Sequence, residues 1–105
     1  MAREQSYLRP GTHQSVAYTS TAGTISNAVG AQTYVVRIVI EADEADPGTT
    51  ARGAHVAIGT SPTATTSDMY MPHGVPEYFS INPGEKVSAI ENATAGGVLH
   101  VTEMS

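Results

Sequence analysis

Residues 77–91, EYFSINPGEKVSAIE, constrain this chain more than any other stretch. Asn82, Pro83, Gly84 and Glu85 place proline and glycine at the two central positions of a tight turn. Proline presets φ near about −65° at the first, and glycine accepts the positive φ that a type II turn requires at the second. Before the turn, Phe79 and Ile81 alternate with Tyr78 and Ser80; after it, Val87 and Ala89 alternate with Lys86 and Ser88. Period-two alternation on both sides predicts an antiparallel pair with one buried face. Asn82, Pro83 and Gly84 are therefore read as structural turn residues, and the stretch holds no nucleophile or ligand cluster.

The same alternation recurs elsewhere. Val16 and Tyr18 alternate with polar or small residues over 15–19, and residues 20–33 read as a long Ser/Thr/Gly/Ala connection with one short strand. Residues 34–41 form the strongest strand, with Tyr34, Val36, Ile38 and Ile40 on one face and Val35, Arg37, Val39 and Glu41 on the other. Its β-branched density suits a pleated surface and disfavours a helix. Residues 54–58 follow as a strand with Val56 and Ile58 inward and His55 outward, and residues 98–103 close the chain with Leu99 and Val101 on one side. Residues 92–97 read as the turn of a last hairpin. Six or seven short strands without a helical period predict an all-β fold. The expected architecture is a small antiparallel β-sandwich of jelly-roll or Greek-key type over residues 15–105, preceded by an extended N-terminal arm over residues 1–14.

Composition sets what such a fold can do. The chain has 105 residues, 40% of them apolar, with one Phe, no Trp and no Cys. A core of Val, Ile, Ala and Tyr is thin, and nothing staples it. Small scaffolds of this kind gain burial by association, so a homo-oligomer, dimer or trimer, is expected. The net charge is −5, and the five basic residues, Arg3, Arg9, Arg37, Arg52 and Lys86, are scattered. Nucleic-acid binders cluster their basic residues, so no nucleic-acid partner is expected. No stretch is apolar and long enough to span a bilayer, no basic amphipathic helix suits a membrane surface, and no secretory signal is visible.

Candidate chemistry is sparse. Glu41, Asp43, Glu44 and Asp46 form an acidic loop, but their spacing before Pro47-Gly48 fails the EF-hand pattern, and the loop reads as solvated. His13, His55, His73 and His100 lack the close pairing that announces a zinc site. His55 and His100 would meet only if their strands were neighbours on one sheet face. No G-x-S-x-G elbow is present. The chain is read as no enzyme, with no catalytic residue, cofactor or metal ligand. The residues expected to make contacts are Tyr7, Leu8 and Arg9 on the arm, and Met69, Tyr70 and Met71 in a loop bounded by Pro and Gly; the other reading of that loop is a plug in the open end of the sandwich. Met and Tyr are enriched at the buried centres of interfaces.

The order RPGTHQSV, SNAVGAQTYVVRIV, HVAIGTSPTATTSDMYMP, EYFSINPGEKVSAIE and GGVLHVTEMS resembles the head decoration (cement) proteins of tailed bacteriophages, which are encoded beside the major capsid protein. The resemblance runs from about Arg9 onward and rests on I-G-x-S-P-T-A-T, the Pro-Gly turn and the terminal V-x-E strand. It implies a structural virion protein, made in the host cytoplasm, that binds the capsid exterior between capsomers, with the major capsid protein as partner. It carries no catalytic motif. The alternative is a β-sandwich binding module of a tail or fibre, for which exposed aromatic residues stacking on carbohydrate would be the signature.

Overall fold

The computed structural model describes residues 8–43, 52–92 and 96–105. Eight strands run through them: β1 (Pro10–Tyr18), β2 (Gly23–Thr24), β3 (Val35–Ala42), β4 (Gly53–Gly59), β5 (Met69–Pro72), β6 (Glu77–Ser80), β7 (Lys86–Glu91) and β8 (Gly97–Met104). They form two four-stranded sheets, β1-β8-β3-β6 and β2-β7-β4-β5, in which every pairing is antiparallel. The pairs β1/β8, β2/β7, β3/β6 and β4/β5 are nested, as if one long hairpin had been rolled up. Rolling adds the contacts β3/β8 and β4/β7 and gives the jelly-roll order.

The core lies between the sheets. Val36, Ile38 and Ile40 of β3 and Leu99 and Val101 of β8 face Ala54 and Val56 of β4, Val87 and Ala89 of β7, and Met71 of β5. A fully buried Val, Leu, Ile or Met side chain contributes roughly 1.5–3 kcal/mol, so the inward faces of the two central strands of each sheet carry most of the stability. Ser88 is buried on the other face of β7, under the connection before β5. Its hydroxyl accepts from the Ala64 N–H at 3.0 Å and shares a 3.1 Å bond with the Thr24 hydroxyl. These contacts satisfy it and fasten the connection before β5 to β7.

The Pro83–Gly84 turn forms as expected, but it joins different elements. Gly84 has φ +89°, and the Glu85 N–H closes the turn on the Asn82 carbonyl at 3.1 Å. The flanking strands, however, are not a hairpin pair: β6 belongs to one sheet and β7 to the other. Alternation reports only that each strand has one buried face, and a turn between two facing sheets satisfies that as well as a hairpin does. The turn is docked on the β2–β3 connection, where Gly84 donates to the Val29 carbonyl (3.1 Å) and Val29 donates to that of Glu85 (2.9 Å). The connection from β7 to β8 likewise crosses between sheets.

Two further expectations are corrected. Residues 10–14 are part of β1, not of an arm: Pro10 faces Met104, His13 faces Thr102 and Gln14 faces Val101, with a bulge between Pro10 and His13. Their polar, exposed side chains hid a strand whose outward face is solvated and whose backbone is paired on one edge. Tyr34 precedes β3 and is 59% exposed, so the buried face of that strand begins at Val36.

Candidate functional site

Three of the four histidines gather on the outer face of the β1-β8-β3-β6 sheet. Alternation turns Leu99 and Val101 inward and sends His100 and Thr102 outward, while Arg37, Val39 and Glu41 take the outward positions of β3. Register then sets neighbours: Thr102 lies between His13 and Arg37, and His100 lies between Ser15 and Val39. His13, Arg37, Val39, Glu41, His73 and His100 line an open depression of about 350 Å³.

The polar contacts within it are specific. His100 Nε2 bonds Glu41 Oε1 at 2.8 Å, and His13 Nδ1 bonds the Thr102 hydroxyl at 3.0 Å. The two imidazoles stack with centroids 5.5 Å apart and planes 21° from parallel. His73 accepts the Ala42 N–H on Nδ1 (3.0 Å), which holds the β5–β6 connection against the end of β3. Among the described residues, no group of three or more His, Cys, Asp or Glu side chains is placed to hold a metal ion.

The condition for His55 to meet His100 is not met, since β4 and β8 lie in different sheets. His55 bonds the Asp68 carbonyl (2.8 Å) and the Asn92 side chain (3.0 Å). The pairing of His13 with His100 was not legible, because it needs β1 to extend back to Pro10 and to lie beside the last strand. In the acidic loop, Glu41 binds His100 and Asp43 is exposed, while Glu44 and Asp46 lie outside the described residues.

The expected contact residues separate into distinct environments. Tyr7 lies outside the described residues. Leu8 is half-buried, and Arg9 is exposed but fixed by its backbone, which exchanges two hydrogen bonds with Ser105 (2.7 and 3.0 Å). Residues 69–72 are the edge strand β5 and not a loop. Met71 is fully buried against Ala54's position on β4, so it is a core residue and not a contact. Met69 and Tyr70 are exposed, and the Tyr70 hydroxyl donates to the Arg52 carbonyl at 3.0 Å.

Met69 and Tyr70 belong to a larger pattern. Contacts of β3 with β4 and of β7 with β8 align the two sheets, so β5 and β6 share one edge of the sandwich. The large apolar side chains exposed among the described residues are Tyr34, Met69, Tyr70, Val75 and Tyr78. Two lie on β5, one on β6 and one between them; Tyr34 borders β6 through the hydrogen bond from Ile81 N–H to its carbonyl (3.0 Å). Both edge strands are only four residues long, which limits open-ended sheet pairing while leaving these side chains presented.

At the opposite end of β1, Tyr18 is 1% exposed, with its hydroxyl over Gly97 and 3.5 Å from the Gly53 carbonyl. Burial, then the nearby Asp43 and Glu91 carboxylates, push its phenol up to about 12, with Arg52 acting in the other direction. The unfolded phenol titrates near about 10, so the neutral ring's contribution is fully present below that pH and is lost as pH rises through about 12. The shift corresponds to about 2–3 kcal/mol. Tyr18→Phe is expected to flatten the alkaline fall in stability over about pH 9–12, read by denaturant unfolding. An identical pH slope in the two proteins would show that Tyr18 ionisation is not coupled to folding.

Compared with protein-family models, curated proteins and solved structures, this chain matches none.

Proposed function

We propose that this protein is a structural subunit of a virus particle, a capsid decoration protein that binds the outer surface of a tailed-phage head between capsomers, as a small oligomer. The observation that carries the reading is the β5–β6 side of a thin sandwich, where Met69, Tyr70, Val75 and Tyr78 are exposed, with Tyr70 beside His55 on the outer face of one sheet and Tyr78 beside Arg37 on the outer face of the other. Apolar and aromatic side chains of this kind form the desolvated centres of protein interfaces. The proposed occupant of the edge is the major capsid protein. The sequence resemblance supports that partner, and the acidic balance, net −5, suits a protein outside a shell filled with nucleic acid. Binding to the assembled lattice and not to free subunits stabilises the shell by mass action.

The test is co-sedimentation with decoration-free heads of the phage that encodes the chain. The expected result is saturable binding at a fixed ratio to capsid protein, abolished by the double variant Val75→Lys/Tyr78→Lys in a protein that still melts cooperatively. Heads that bind neither protein would overturn the reading. Exposed Tyr34, Tyr70 and Tyr78 are side chains of the kind the tail or fibre alternative needs, and saturable glycan binding by a protein that ignores heads would favour it.

A further inference from the structure

His13 and His100 are diagonal neighbours across the β1/β8 pair, since His13 faces Thr102 and His100 faces Ser15. Each imidazole is held from its outer side, His13 by Thr102 and His100 by Glu41. An ionised carboxylate only accepts, so His100 carries its proton on Nε2 and turns the Nδ1 lone pair toward His13. A threonine hydroxyl can donate or accept, so His13 is free to keep its proton on Nδ1 and leave Nε2 unprotonated. The two inward nitrogens, His100 Nδ1 and His13 Nε2, stand 3.5 Å apart. That separation is long for an N–H···N hydrogen bond. It is close to the spacing of two ligands on one tetrahedral ion, where nitrogens at about 2.0–2.1 Å from the metal lie about 3.3 Å from each other.

We propose that His13 and His100 form a two-histidine site for a divalent late first-row cation of the zinc or copper class, with water in the remaining positions. Imidazole is a favoured ligand for these ions. Metal-bound histidines characteristically donate their other N–H to a carboxylate or another oxygen, which fixes the ring and raises its basicity. Glu41 and Thr102 occupy those outer positions here. Arg37 lines the same depression and sets positive charge near the ion, while Glu41 offsets it. Because the ligands lie on different strands, the ion fastens the beginning of β1 to β8 and stabilises the folded chain in proportion to its occupancy.

The test is a Zn²⁺ titration of the full chain near about pH 7.5, followed by calorimetry and by NMR of the imidazole carbons. One ion per chain is expected, with the His13 and His100 resonances moving together and those of His55 and His73 left in place. His13→Ala and His100→Ala should each weaken binding at least about tenfold while His55→Ala does not, since two protein ligands leave no substitute for either. Where an alanine variant fails to fold, His13→Gln is read in its place. Absence of Zn²⁺ binding, equal movement of all four imidazoles, or undiminished affinity in the His13 and His100 variants would overturn the site.

Discussion

Gly97→Val is expected to cost about 4 kcal/mol or more, a large share of the roughly 5–15 kcal/mol that holds a domain of this kind folded. Gly97 opens β8 between two strands, facing Tyr18 of β1 on one side and Ala42 of β3 on the other. A Cβ there would stand 2.4 Å from the Glu41 carbonyl oxygen, 2.7 Å from the Tyr18 hydroxyl and 2.8 Å from the Ala42 Cα. Two of those atoms are backbone in a paired central strand, so they have no rotamer by which to move aside. The residue is required for space and not for its dihedral freedom, because among the described residues the positive-φ glycines are Gly74 and Gly84. Urea unfolding should show the midpoint of Gly97→Val collapsing, whereas Gly59→Ala, whose added carbon meets nothing within 4 Å, should stay within about 1 kcal/mol of the parent. A Gly97→Val protein that unfolds at the parent midpoint would disprove the close approach of β8 to β3.

The second large effect separates two methionines that look alike in sequence. Met71→Ala is expected to destabilise the fold by about 2–5 kcal/mol, and Met69→Ala by less than about 1 kcal/mol. Met71 is 0% exposed and opposite Ala54, within the core that both sheets share. Met69 opens the same edge strand and is 44% exposed. Removing the first leaves a cavity plus lost burial; removing the second exchanges one solvated surface for another. If Met69→Ala also alters attachment to heads while Met71→Ala alters only stability, the exposed start of β5 is part of the contact and its buried middle is not. Equal destabilisation by the two substitutions would refute the placement of β5.

The two methionines also show how far the pattern could be followed. The short apolar run from Met69 to Met71, bounded by Asp68 and Pro72, is compatible with a loop or a strand, and only pairing with β4 decides between them. Residues 10–14 posed the opposite problem. Their polarity suits an arm, yet their backbone is paired to β8 while their side chains face water. Burial patterns identify a strand by its inner face, so a strand segment with little inner face is invisible to them.

The histidine cluster was illegible for a related reason. His13 and His100 stand 87 positions apart, and neither has a nearby partner in the chain that would mark it. They meet because the first strand lies beside the last, a fact of strand order. His55 and His100 could have met only had their strands been neighbours, and the sandwich places those strands in separate sheets.

By itself the sequence determined the class of fold, the inward faces of β3, β7 and β8, and the turn at Pro83–Gly84, because alternation and backbone preference act over a few residues. The tertiary structure alone decided which strands pair, that the turn crosses between sheets, and which side chains meet on the outer face. Pairing depends on long-range backbone hydrogen bonds, which any strand can offer to any other, so it follows from how both sheets bury their apolar faces together and not from any local pattern.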